Sequence, residues 1–214
     1  MSEAAKKRAR KGDAPRRRLA PEERREQLLE CALEVFANRG IRRAVHADVA
    51  KLAGCAVSTV FLYFPTRESL VDAVLDEVER FYLELAREIH DPATPAIDVL
   101  HEHGRRFRAS IDSNPEHALI RLNWAANARS RVWPRYMALL ERMVSNHQAT
   151  IERGIREGAI DSGVDAEAAA RIIIGFAQMS TQLRLSDFDP ERAEQISRQM
   201  IDAILPAPAK RKAA

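Results

Sequence analysis

Cysteine, glycine and aromatic residues are all scarce in this chain of 214 residues, which has two cysteines, eight glycines and 6% aromatic side chains. Two cysteines, Cys31 and Cys55, cannot build a disulfide framework or a four-cysteine zinc site, so a reducing cytoplasm is the expected compartment. Few glycines and few aromatics argue against a sandwich or barrel. No apolar run approaches the roughly 18–20 residues that span a bilayer, and no apolar stretch follows the basic N-terminus. Neither a membrane segment nor a secretory signal is therefore expected. Gly-x-Ser-x-Gly, Walker, Rossmann and His-Glu-x-x-His patterns are also missing, so an enzyme is not expected. His101 and His103 are two apart, point to different sides of a helix and cannot share a metal. Solvated or capping roles are expected for them, with no metal and no cofactor.

What is present is an amphipathic, helix-forming composition: 46% apolar, 30% charged and no strand alternation. The fold class expected is all-α, with about nine helices. Charge is unevenly placed. Residues 1–18 hold eight basic groups against Glu3 and Asp13, while residues 19–66 carry six of each sign. Residues 67–209 hold 17 basic and 23 acidic groups, and Lys210, Arg211 and Lys212 close the chain. Basic ends on a neutral-to-acidic body suit a polyanion met at one end of the molecule; a solvated tail explains the charge equally well.

Punctuation along the chain places the helices. Pro21 opens the first, with Glu22 and Glu23 at the positive end of its dipole and Leu29, Ala32, Leu33 and Phe36 as its apolar stripe. Asn38-Arg39-Gly40 stops it. A short helix follows from His46 to Ala53, burying Val49 and Leu52 and ending at Gly54. Val57, Val60, Phe61 and Phe64 repeat the helical spacing until Pro65, and Thr66 caps a long helix from Arg67 to about His90. Thr94-Pro95, Asn114-Pro115 and Asp189-Pro190 each read as a cap followed by Pro at the first helical position. A helix from about Val132 to Glu157 ends at Gly158, Gly154 reading as part of that termination, and Asp165 caps an Ala-rich helix reaching to about Leu185.

The informative stretch is His46–Tyr63, two short helices joined by Gly54-Cys55-Ala56 in a helix-turn-helix arrangement. Gly54 suits a left-handed cap, and small Ala56 lets the second helix cross closely. If Val57, Val60, Phe61 and Phe64 face the core, then Ser58, Thr59, Leu62 and Tyr63 face outward. Two hydroxyls, a phenol and one aliphatic group suit phosphate hydrogen bonds and a groove contact. Cys31 reads as a small buried hydrophobe, and Cys55, in the turn, as a thiol with no basic neighbour to activate it.

Three segments carry a resemblance: Arg18-Leu-Ala-Pro-Glu-Glu-Arg-Arg-Glu-Gln-Leu-Leu, Val49-Ala-Lys-Leu-Ala-Gly, and Val57-Ser-Thr-Val-Phe-Leu-Tyr-Phe-Pro-Thr-Arg-Glu-Ser-Leu-Val. Residues 16–80 resemble the TetR family of transcriptional regulators. His-Ala-Asp, Tyr-Phe-Pro-Thr-Arg-Glu and the Val-Trp-Pro at 132–134 narrow this to its LuxR/HapR/SmcR-like group. The resemblance implies a homodimer on a palindromic DNA operator, as repressor or activator. Its chain would divide into a basic arm (1–18), a helix-turn-helix domain (19–66), a helical ligand-binding and dimerisation domain (67–205) and a basic tail (206–214). Carried over by position, Thr59, Tyr63 and Arg67 would contact the major groove, His46 would lie beside a phosphate, and Arg16 and Arg18 would enter the minor groove. Leu62 stands where relatives carry Asn, and Arg121 where they tend to carry an aromatic residue.

In the body, Trp124, Trp133, Phe176 and Met179 are pocket candidates for a small apolar ligand, neutral or with one anionic group near Arg121. Plain core is the competing reading for these side chains. The resemblance further implies a dimer interface on the last two helices, with Ile172, Ile173, Phe176, Ile201 and Ile204 as its apolar residues. The rival to a specific regulator is a nucleic-acid-associated protein without sequence preference, whose body is only a dimerisation scaffold.

Overall fold

The computed structural model describes residues 19–87 and 94–208, so the basic arm with Arg16 and Arg18, the end of the helix after Arg87, and the Lys210–Lys212 tail lie outside the described residues. Among the described residues there are nine helices and no strand. Three come first: α1 (Pro21–Arg39), α2 (His46–Ala53) and α3 (Val57–Tyr63). They are followed by α4 (Arg67–Arg87), α5 (Ala96–Ser113), α6 (Pro115–Ala125), α7 (Trp133–Arg156), α8 (Ala166–Arg184) and α9 (Pro190–Ile204). None of them is long and apolar enough to cross a membrane.

Local chemistry sets the boundaries. Glu23 reaches back to the Ala20 N–H at 2.9 Å, one half of a capping box, and α1 stops at Gly40, whose φ of 78° a side chain would resist. Thr66 and Ser69 cap α4 reciprocally, each side chain accepting the other's backbone N–H at 3.0 Å. Asp165 accepts from the Ala168 N–H and Asp189 from the Glu191 N–H, both at 3.0 Å. The Thr94-Pro95 signal is displaced by one residue. Pro95 is itself the cap, and the Ala96 N–H is satisfied by Glu157 from the end of α7, at 2.9 Å.

Leu28, Ala32, Phe36, Leu70, Val74, Leu75, Ile120 and Trp124 belong to one apolar core shared by α1, α4, α6 and their neighbours. Leu28, not Leu29, leads the α1 stripe, on a helix that packs against α2, α4 and α6. Each fully buried side chain of this size contributes roughly 1.5–3 kcal/mol. Gly154 takes part in the end of α7 through its carbonyl, which accepts the Ala159 and Ile160 N–H groups at 3.0 and 3.1 Å. It lies buried inside α7, where a Cβ would come within 2.5 Å of Ile160 Cδ1 and 3.2 Å of Ala96 Cβ. Glycine there lets the chain fold back after α7, and Gly158, at φ 73°, makes the turn.

Candidate nucleic-acid interface and the body behind it

The helix-turn-helix geometry starts at Gly54. It adopts φ 61°, ψ 41°, the left-handed region, and the next N–H, that of Cys55, returns to the Ala50 carbonyl at 3.0 Å. This turn sends α3 across α2. The opposite ends of the two helices are then tied by His46. Its Nε2–H donates to the Phe64 carbonyl at 2.7 Å, and its ring stacks on Phe61 with centroids 4.0 Å apart and planes 8° apart. His46 is buried, so its ring serves this tie and does not face a phosphate.

The buried stripe on α3 is narrower than its spacing predicts. Val60 and Phe64 are buried, while Val57 and Phe61 are exposed. Leu52 on α2 is exposed as well. The cause is size: α3 has seven residues and leans chiefly on α2, so one row separated by four positions suffices to seat it. The outward surface is correspondingly larger. Ser58 and Leu62 are exposed, the latter at 75%, with Thr59 and Tyr63 half-buried beside them and Phe61 and Val57 at the edge. Arg42 and Arg43 in the turn before α2, and Lys51 on α2, add exposed cations that no motif in the sequence singles out. Adjacent arginines in a turn are the one local signal for them.

Arg67 is half-buried, and its Nη2 donates to the Ile41 carbonyl at 2.5 Å. From the other side, Asn123 on α6 accepts the Ile41 N–H through Oδ1 at 2.9 Å. A Cβ on Gly40 would meet the Asn123 amide at 2.9 Å. The turn that leads into α2 is thus held by α4 and α6 together. Asn123 is invisible in the sequence, because one Asn beside a Trp carries no local pattern.

In the body, Trp124 is fully buried and its Nε1–H donates to the Val132 carbonyl at 2.8 Å. Tyr136 stands between it and half-buried Trp133, at ring distances of 5.6 and 5.3 Å. Trp124 is core, Trp133 packs half-buried against the core, and Met179 is exposed. A cavity of about 40 Å³ lies instead among α5, α7, α8 and α9, with Phe176 as the one expected pocket residue on its wall. His103 and His147 line it too, their rings 4.6 Å apart. His103 is therefore buried and not solvated, whereas His101 pairs with Asp202 across to α9 at 3.1 Å. No cluster of His, Cys, Asp or Glu suited to a metal exists among the described residues.

Of the expected interface residues, Ile172 is exposed, Ile173, Phe176 and Ile204 are half-buried, and Ile201 is spent in the chain's own core and the cavity wall. Ala168, Ile172, Gly175 and Met179 line one face of α8 at steps of four, three and four residues, all four of them exposed. Nothing lies within 4 Å of where a Cβ on Gly175 would sit. On the other flank, Arg135 of α7 bridges Asp76 and Glu79 of α4, which fastens α4 to the body as it leaves the N-terminal helices.

Comparison with known proteins agrees with this geometry. Residues 28–74 match the family described as bacterial regulatory proteins, tetR family. The chain is 40% identical over 123 residues to the HTH-type transcriptional regulator LuxR of Vibrio harveyi, a match covering 58% of this chain and 60% of that one. It is 24% identical over 189 residues to the transcriptional repressor KstR2 of Mycolicibacterium smegmatis, covering 86% and 90%. In fold it resembles a TetR-family regulator from Agrobacterium tumefaciens, with a TM-score of 0.77 at 17% identity over 87% of this chain and 100% of that one. The ketosteroid regulator KstR2 of Mycobacterium tuberculosis gives a TM-score of 0.68 at 21% identity, over 85% and 95%.

Proposed function

We propose that this chain, which belongs to the tetR family of bacterial regulatory proteins, is a sequence-specific DNA-binding transcriptional regulator acting as a homodimer. The observation that carries this reading is the outward surface of α3: hydroxyls of Ser58 and Thr59, the phenol of Tyr63 and the aliphatic Leu62, on a helix anchored at both ends. Hydroxyls and phenol suit phosphate oxygens and base edges, and Leu62 suits a thymine methyl. Arg42, Arg43 and Lys51 supply cations for the flanking backbone, joined by Arg16 and Arg18 of the arm in the minor groove. The region 19–66 is then the DNA-binding domain and 67–205 the domain for ligand and dimer.

The α8 face supports pairing of two chains. A glycine inside a helix costs about 1 kcal/mol relative to alanine. Among the described residues no neighbour requires Gly175. A second α8 crossing there gives the glycine a role and covers Ile172 and Met179, with α9 alongside in a four-helix arrangement. The cavity among α5, α7, α8 and α9 supports modulation by a small, mostly apolar ligand that selects one spacing of the two DNA-binding domains.

Selection of bound sequences from random duplex DNA, at one fixed near-physiological salt concentration, tests the reading. The expected outcome is a palindrome with half-sites about one helical turn apart. Retention without sequence enrichment would instead identify a nucleic-acid-associated protein with a dimerisation scaffold.

A further inference from the structure

Arg121, on α6, is only 4% exposed, and its partners among the described residues are neutral, the Tyr82 hydroxyl among them. Its Nη2 donates to Thr181 Oγ1 at 2.6 Å and leans toward the Ala177 carbonyl at 3.4 Å. The guanidinium lies 5.4 Å from the centre of the Tyr82 ring and 5.2 Å from that of Phe107. Its Nε–H is buried without an acceptor. Elsewhere the chain does supply carboxylates to partly buried arginines: Glu194 to Arg108, Asp76 and Glu79 to Arg135, and Glu157 to Arg153. A cation taken out of water with only ring faces and neutral oxygens around it is an expensive feature, and it calls for a partner.

The cavity among α5, α7, α8 and α9 lies one side chain away. Phe107 and Ala177, which touch the guanidinium, also line that cavity. The rest of its wall is largely apolar, with Leu100, Met143, Ile173 and Ile174, and the unbranched Met143 adapts readily to an occupant.

We propose that the cavity and Arg121 together form a binding site for a small amphipathic monocarboxylate, its apolar part among α5, α7, α8 and α9 and its carboxylate on the Arg121 guanidinium. The inference deepens the ligand reading given above and rests on it. Charge selects a monoanion: one buried cation balances one negative charge, whereas a phosphate monoester brings closer to two and three acceptor oxygens. The free Nε–H and the planar guanidinium edge match a carboxylate, which accepts in the same plane. At about 40 Å³ the cavity has to widen to admit such a molecule, and Phe107, which lines it and packs on the guanidinium, is the side chain whose displacement would join the two. Asn123, two residues along the same helix, holds the Ile41 N–H, so a ligand that pulls on Arg121 pulls on the turn leading into α2.

Decanoate and decanol, identical in chain length and different in head group, are the probes. Binding to the full chain is measured by calorimetry at pH 7.5 without DNA. Decanoate is expected to bind at least tenfold more tightly than decanol, and Arg121→Met to remove that preference, with Arg121→Lys keeping part of it. Replacing the unpaired cation by an apolar side chain should leave the melting temperature unchanged or raise it. Equal binding of the two probes, no binding of either, or a preference that survives Arg121→Met would overturn the proposal. Should Arg121→Met not fold, Phe107→Ala decides: tighter decanoate binding supports the proposal, and unchanged or weaker binding overturns it. These readouts contain no DNA, so failure of the operator selection and failure of this site are separately visible.

Discussion

Two helices of this chain, α3 and α8, both leave large apolar side chains in solvent, and their differences indicate what each awaits. On α3 the exposed Phe61 and Leu62 sit among hydroxyls and a phenol, on seven residues tied at both ends. On α8 the exposed Ile172 and Met179 sit with Ala168 and Gly175 in a continuous seam along a helix of 19 residues. A mixed, short and stiff surface suits a polar groove with occasional methyl groups. A small-and-apolar seam near a seven-residue repeat suits another helix. Exposure alone is shared by the two faces; composition, spacing and anchoring tell them apart.

The comparison breaks most readily on the α8 side. Ile172→Asp places a carboxylate in the seam of both copies and should weaken association by roughly 3–5 kcal/mol. Sedimentation velocity should then show monomers where the unaltered chain is expected to be dimeric, with the helical circular dichroism unchanged because Ile172 is exposed within the chain. A dimer that persists at micromolar concentration would remove α8 from the interface. On the α3 side, Tyr63→Ala and Thr59→Ala should each cost about 1–3 kcal/mol of DNA affinity in titrations followed by anisotropy, with the dimer intact. Leu62→Asn should change the preferred sequence more than the total affinity, since an amide can pair with adenine.

A smaller effect separates specific contact from general attraction. Arg16→Ala with Arg18→Ala should flatten the dependence of log affinity on log salt by about 0.9 for each phosphate no longer neutralised. An A·T-rich flank should lose its advantage in the same titration. The smallest effect concerns neither face and serves as a control on the core between them. His117 is buried against Phe81, and its Nε2 is 3.8 Å from the Glu77 carboxylate, beyond hydrogen-bond reach. Burial pushes its pKa down from 6.5, with Glu77 opposing. The unfolded chain then takes up a proton that the folded chain refuses. Stability from this group is present above about pH 6.5 and is lost as the pH falls toward the folded-state pKa. The melting temperature should decline between pH 7.5 and 5.5, and His117→Phe should make that decline shallower.

Helix number and most boundaries are legible in the sequence because their causes are local. Gly40, Gly54 and the Thr66 and Asp189-Pro190 caps act on neighbours within four residues. What is not legible depends on neighbours distant in sequence. Periodicity shows which residues share a face, not how many helices cover it, and so it buries Val57 and Phe61 where the structure exposes them. Gly154 reads as a stop from its own neighbourhood, and only Ile160 and Ala96 packed against it reveal the close approach it permits. The Ala96 N–H has its acceptor in Glu157, 61 residues away. For the site, spacing alone places Ser58, Thr59, Leu62 and Tyr63 outward, and the helix has them at least partly in solvent. His46 and Trp124 are not legible, since a polar or aromatic residue type does not say whether its hydrogen bond will be to a ligand or to Phe64 and Val132.

The Ile41 amide, finally, can serve as a clock. Its proton is held by Asn123 across 82 positions of sequence, and its carbonyl by Arg67. Exchange of that one proton for deuterium requires the turn before α2 to let go of α6, so its rate counts how often the N-terminal helices detach from the body. A molecule bound near Arg121 that tightens the attachment will slow that single resonance and leave the exposed start of α1 exchanging as before.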